Sequence, residues 1–145
     1  MAGQQYLITT LCERREARFA DWDTASRVAA TLGGERLWRG SHPLCWLLMP
    51  DHMHLIVELG QDESLAALMR RVKCVTAGLA NAIDRRRGAV WMPGYHDHAL
   101  RSEESVVSAM RYIILNPVRA GIVSSIGEYP YWNCTWQEAG MLDWE

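Results

Sequence analysis

The sequence has no apolar run approaching the roughly 20 residues that a membrane-spanning helix needs. Its opening stretch, MAGQQYLITTLCERREARF, lacks the basic start, long apolar segment and small-residue cleavage site of a secretory signal. Together these absences lead us to expect a cytoplasmic protein with no membrane partner. Cysteine is sparse: Cys12, Cys45, Cys74 and Cys134 stand far apart and form no CxxC pair. That argues against a zinc knuckle or a disulfide framework and for reduced thiols. No internal repeat and no low-complexity linker interrupt the 145 residues, so one domain over 1–145 is expected. A net basic charge is also lacking. The formal charge is −2, which by itself gives no sign of a nucleic-acid binder.

The chain does contain enough hydrophobic residues (49%) to bury a core, and its charge is unevenly distributed. Residues 70–119 carry nine basic side chains against four acidic ones, a local excess of +5, whereas residues 120–145 carry four acids and no Lys or Arg. Fourteen of the fifteen basic residues are arginine, whose planar fork suits phosphate. Arg70, Arg71, Lys73, Arg101, Arg111 and Arg119 are therefore candidate phosphate contacts on DNA. A solvated helix face would explain the same charges.

Hydrophobic periodicity orders the chain as βαββαβα. QYLITTL reads as a strand, and DWDTASRVAATLGG as a helix capped by Asp23 or Thr24 and closed by the glycine pair. HPLCWLLM and HMHLIVEL form a hairpin about PD. From Ser64, the residues Leu65, Leu68, Met69, Val72, Val75, Leu79 and Ile83 recur with helical period. HDHAL is a short strand after a Gly- and Trp-containing loop. A last helix runs from near Ser102 to about Asn116, where Pro117 blocks continuation. This is an α+β plan: a ferredoxin-like βαββαβ antiparallel sheet with a C-terminal helix packed on it.

Alternation along a strand puts His52, His54, Ile56 and Glu58 on one face and Met53, Leu55, Val57 and Leu59 on the other. The apolar set should meet a helix layer. The first set places two imidazoles within reach of one cation, although two polar residues on an open hairpin face would give the same pattern. On the last helix, Val106, Val107, Met110, Ile113 and Ile114 form the apolar stripe, and Tyr112 points away from it. Asn116, at i+4, lies on the side of Tyr112, together with Ser105 and Ser108. His52, His54 and Asn116 can thus supply three ligands of mixed imidazole and amide character, compatible with Mg²⁺ or Mn²⁺. Tyr112 is then the candidate catalytic nucleophile. Phenols, with pKa near about 10, attack weakly, and a cation that polarises a phosphodiester compensates. Transfer of the strand to Tyr112 would give a 5′-phosphotyrosine and a free 3′-hydroxyl, and it would conserve the bond energy for rejoining.

The blocks MPDHMHLIVE, VWMPGYHDHALR, YIILNPVRAGIV and EYPYW, in this order and spacing, resemble the REP-associated tyrosine transposases. These are relatives of the small single-strand transposases of the His-hydrophobic-His class. The resemblance covers nearly the whole chain. It implies His52 and His54 as the paired ligands, Asn116 as the third and Tyr112 as the nucleophile. It also implies cleavage and joining of single-stranded DNA at the foot of hairpins, with a short guide sequence beside the hairpin. Related enzymes work as monomers or homodimers. Two other readings stay open: a hairpin-binding protein that does not cut, and a metal hydrolase in which Tyr112 is incidental. His96 and His98 alternate like the first pair and are read as sheet-edge packing or loop hydrogen bonding, with accessory ligation or DNA contact as the alternative. Of the seven tryptophans, including Trp136 and Trp144, Trp91 is the one candidate for stacking on an unpaired base.

Overall fold

The computed structural model describes residues 3–135; Trp136 and Trp144 lie outside them. The sheet has five antiparallel strands in the order β4-β1-β3-β2-β5. The strands are β1 (Gln5–Leu11), β2 (His42–Met49), β3 (His52–Glu58), β4 (His96–Leu100) and β5 (Trp132–Cys134). The helices are α1 (Trp22–Leu32), α2 (Leu65–Asp84), α3 (Glu103–Ile114) and α4 (Asn116–Arg119). The first four strands keep the split βαβ order expected from the sequence. Among the described residues no helix is long and apolar enough to cross a membrane.

Both faces of the sheet carry helices. Met53, Leu55 and Val57 of β3 join Ile8 in a core sealed by Val28 and Leu32 of α1 and Leu68, Met69 and Val72 of α2. On the opposite face Ile56 packs with Cys45, Leu47 and Met49 of β2 beneath Val106, Met110, Ile113 and Ile114 of α3. The alternation of apolar residues along β3 therefore sets which helix layer each residue meets.

The helix starts follow side-chain capping. Ser64 accepts from Ala67 N, and Ser102 accepts from Ser105 N. The cap of α1 is Asp21, which accepts from Thr24 N, instead of Asp23 or Thr24. Thr24 faces inward, and its hydroxyl donates to Asp84 Oδ1 at 2.5 Å, tying α1 to α2. Arg18, 5% exposed, completes this link by donating to Asn81 and Asp84.

Several boundaries and faces differ from the periodicity reading. Val75 is 42% exposed, and Thr76, one position on, is buried in its place. A buried threonine is tolerated because its hydroxyl donates to Val72 O (2.7 Å) and accepts from Trp91 Nε1 (2.9 Å). On α3 the small Ala109 is buried, whereas Val107 is only partly so. Pro117 does not simply stop the last helix. α3 ends at Ile114, and α4 begins at Asn116 with the proline in its first turn, where a missing N–H costs nothing. β5 was not apparent from its sequence. It adds to β2 through the pairs Cys45–Cys134, Trp46–Asn133 and Leu47–Trp132. Tyr129, just before it, donates its hydroxyl to Leu48 O at 2.6 Å, which gives the EYPYW block a structural task.

Candidate active site

The site stands on the α3 face of the sheet. His52 and His54 project from it side by side, with ring centroids 4.9 Å apart. The backward-reaching α3–α4 junction brings Asn116 over them. Asn116 Nδ2 lies 3.0 Å from His54 Nε2 and 3.3 Å from His52 Nε2. The other ring nitrogens are held from behind. His52 Nδ1 meets Asp51 Oδ1 at 2.7 Å, and His54 Nδ1 meets Thr9 Oγ1 at 2.9 Å. The carboxylate can only accept, so His52 carries its proton on Nδ1 and turns the Nε2 lone pair toward Asn116. His54, with Nε2 accepting from the amide, places its own proton toward Thr9.

Electrostatics keep the His54 lone pair available. Burial, followed by the nearby charges of His52 and Arg119, pushes His54 down to about 4, so it is neutral at physiological pH. Asp51 loses some hydration by partial burial, but hydrogen bonds from His52 and Arg15 outweigh this and hold its carboxyl below the usual range. Asp51 is thus a charged anchor for His52. Imidazoles that ligate metals commonly donate their second N–H to such a partner. Among the described residues no group of three or more His, Cys, Asp or Glu is placed to hold a metal ion. The third donor here is an amide, which offers Oδ1 to the same point once it turns over about its Cβ–Cγ bond. Two imidazoles with one amide oxygen fit a divalent cation of the Mg²⁺ or Mn²⁺ kind.

Tyr112 is 56% exposed, and its ring centroid is 6.5 Å from that of His54. Arg119 of α4 lies over it, with Cζ 4.4 Å from the ring centroid, and its guanidinium donates to Tyr112 O. The two-helix turn at Pro117 makes this possible by folding Arg119 back onto α3. All four residues singled out from the sequence, Tyr112, His52, His54 and Asn116, therefore meet in one place within one chain. Thr9 and Asp51, which orient the imidazoles, were not found by sequence reasoning. Asp51 adjoins His52 in the chain and could have been suspected, whereas Thr9 is brought in only by the β1–β3 register.

A family profile described as "Transposase IS200 like" matches residues 2–115. The chain belongs to this family. A REP-associated tyrosine transposase of Escherichia coli strain K12 is 29% identical over 90 residues, covering 59% of this chain and 50% of that protein. The chain thus spans half the length of that relative. A Haemophilus influenzae protein assigned to the same group is 22% identical over 141 residues, covering 89% of this chain and 78% of the relative. A solved REP-associated tyrosine transposase bound to a REP hairpin has the same fold, with a TM-score of 0.76 at 21% identity. That match covers 100% of this chain and 87% of the other.

Within this member of the IS200-like family the basic candidates divide by location. Arg101, Arg111 and Arg119 are exposed on the side of α3. Arg70, Arg71 and Lys73 sit on α2, across the sheet. Of these, Arg71 is committed to structure. Its guanidinium donates to Leu37 O at 2.7 Å, to Trp38 O and, through both terminal nitrogens, to Glu63. Lys73 Nζ donates to Met92 O and Gly94 O at 2.8 and 2.7 Å. Both anchor loops, Arg71 through most of its donors and Lys73 through two of its three, in place of the free phosphate contacts expected from the sequence; Arg70 remains exposed. Trp91 is likewise no base platform. It is 5% exposed and stacked on Phe19, with centroids 5.2 Å apart. The side chains of His96 and His98, on the edge strand β4, are exposed and make no hydrogen bond with a described residue. Cross-strand pairing of Thr9 with both His54 and His96, and of Leu7 with both Ile56 and His98, puts them on the face that carries the site.

Proposed function

We propose that this protein is a metal-dependent endonuclease and strand transferase. It acts on single-stranded DNA at hairpins of the REP (repetitive extragenic palindrome) type through a covalent link to Tyr112. The observation that carries this reading is the convergence of an exposed phenol, two imidazoles and one amide around one point. The donors His52, His54 and Asn116 would hold Mg²⁺ or Mn²⁺. Such a cation, when bound, withdraws charge from a phosphodiester oxygen and makes the phosphorus more open to attack.

The chain's own residues supply the rest. The Tyr112 hydroxyl attacks phosphorus and gives up its proton to solvent. A Tyr112 Oη–P bond forms as the P–O3′ bond breaks, and the departing oxygen takes up a proton to leave as a 3′-hydroxyl. The strand stays attached through its 5′ phosphate, and attack by a 3′-hydroxyl reverses the step, so rejoining needs no nucleotide energy source. Arg119 braces the Tyr112 ring and puts a positive charge beside the developing negative charge. Asp51 and Thr9 fix the imidazole tautomers. Because one chain supplies every member of this set, a monomer suffices for the chemistry. The hairpin substrate rests on the name of the related solved complex and on the arginines flanking α3.

Tyr112→Phe tests the reading. The variant should bind a labelled single-stranded hairpin as the native protein does, yet give no cleavage and no adduct on a denaturing gel with Mn²⁺. Cleavage retained by the phenylalanine variant would instead point to a hydrolase that uses water. If the native protein itself leaves the DNA uncut, a binding module remains.

A further inference from the structure

α3 lies chiefly over β2 and β3 and meets Leu7 of β1 and Leu100 of β4 at its edge; the rest of the β1–β4 side is open and leaves His96 and His98 exposed. Between this open half and α3 runs a groove of about 460 Å³ lined by, among others, Leu7, His98, Glu104, Ser105, Ser108 and Tyr112. We propose that this groove is a base-reading subsite that takes an unpaired guanine of the strand attached at Tyr112. The proposal rests on the reading of Tyr112 as nucleophile and deepens it by naming what the site reads.

The lining argues for a base over a phosphate. No arginine or lysine among the described residues lines the groove, and Glu104 sets a negative charge in it. A phosphate would be repelled there, whereas N–H donors would be attracted. The floor at Leu7 and Ala109 is apolar, and the walls at Ser105 and Ser108 are small, which leaves room for a flat ring. His98 is exposed and presents an imidazole ring without a hydrogen-bond partner among the described residues, suited to stacking on a base. Glu104 is exposed and makes no ion pair with a described residue. Its place in the first turn of α3 suits the helix end, but Glu103 meets that need equally, and of the two only Glu104 lines this groove. Glu104 and Tyr112 are two helical turns apart, roughly 12 Å. A nucleotide spans a comparable distance from its phosphate to the far edge of its base. Guanine alone among the four bases offers two adjacent N–H donors on that edge, N1–H and the N2 amino group, which match the two oxygens of one carboxylate. Adenine offers an acceptor at N1 and would face Glu104 with like polarity.

A substitution that reverses the preference is the sharpest test. Glu104→Gln keeps the shape, and its amide pairs with adenine by one donor and one acceptor. The probe is a fluorescein-labelled hairpin with an oligo-dT flank in which each flank position in turn carries dG, dA, dC or dT. Binding is read by anisotropy in the Tyr112→Phe background, so that no strand is cut. At one flank position dG should bind about tenfold more tightly than dA, a difference within the range of a single bidentate contact. Glu104→Gln should invert that order, and His98→Ala should weaken binding of every base there. Equal affinity for all four bases overturns the proposal, as does a Glu104→Gln variant that loses affinity without changing the order. Unchanged binding by His98→Ala removes the stacking role. Because every readout is binding preference, a failure here leaves the tyrosine mechanism to its own gel. A failure of that gel with base preference intact leaves this subsite standing.

Discussion

The two faces of the sheet are built from the same strands but serve opposite purposes. The α1–α2 face is closed. Met53, Leu55, Val57, Leu68 and Met69 are almost fully buried there, and charged groups pair with one another, as in the Arg18–Asp84 and Arg71–Glu63 pairs. The α3 face is half covered. Tyr112 and the unpartnered His98 line an open groove there, and His52 and His54 stand beside it, bonded to Asn116. The first face is given over to packing, whereas the second carries the candidate site beside its own smaller core, because a group that must meet a ligand cannot also spend its donors on the fold.

Substitutions on the two faces should therefore fail differently. The largest effect is expected from His54→Ala, which should reduce metal-dependent cleavage at least 100-fold in a gel assay. Its fold, checked by circular dichroism, should survive because both apolar cores are left intact. If cleavage persists, the ligand assignment is wrong. Leu55→Ala on the closed face should do the reverse, costing about 2–5 kcal/mol in denaturant unfolding because it opens a cavity in a sealed layer. Tyr112→Phe in the same unfolding assay should fall within about 0.5 kcal/mol of the native protein.

The Arg71–Glu63 pair sharpens the contrast through pH. The Arg71 guanidinium, whose hydrogen bonds outweigh partial burial, holds the Glu63 carboxyl below its ordinary value of 4.5. The unfolded chain binds that proton more readily. The pair's stabilisation is therefore fully present above the unfolded value and is lost as pH falls through the lower folded one. Glu63→Gln should cost about 1–3 kcal/mol at neutral pH and flatten the acid limb of the stability curve. An unchanged acid limb would show that the pair contributes nothing.

The smallest effect concerns the arginines. Arg111→Ala, on the open side, should lower the slope of log affinity against log salt for hairpin DNA by about 1. Lys73→Ala, which anchors a loop across the sheet, should leave that slope unchanged. A lower slope for Lys73→Ala would restore it as a phosphate contact.

The parts legible from sequence were those with a period. Alternation along residues 52–58 assigned both faces of β3, and the 3.6-residue repeat turned Tyr112 away from the α3 core. Where the reading failed, a tertiary partner had overridden a local preference. Thr76 could be buried because Trp91 reaches its hydroxyl, which in turn removed Trp91 from the surface. Pro117 opened a second helix because the chain turned there before the missing N–H mattered. The three-residue β5 carries too little pattern to be seen before β2 offers it an edge.

Sequence by itself determined the fold class, the element order and the four residues of the candidate site, because strand and helix periods are local and the His-x-His and Tyr-x-x-x-Asn spacings lie within single elements. Only the tertiary structure decided which arginines are free, which groups orient the imidazoles and that His96 and His98 share the active face. Those outcomes depend on strand register and on contacts between residues far apart in the chain, such as Thr9 with His54 and Arg71 with Leu37. No local pattern encodes which donors the rest of the fold will consume.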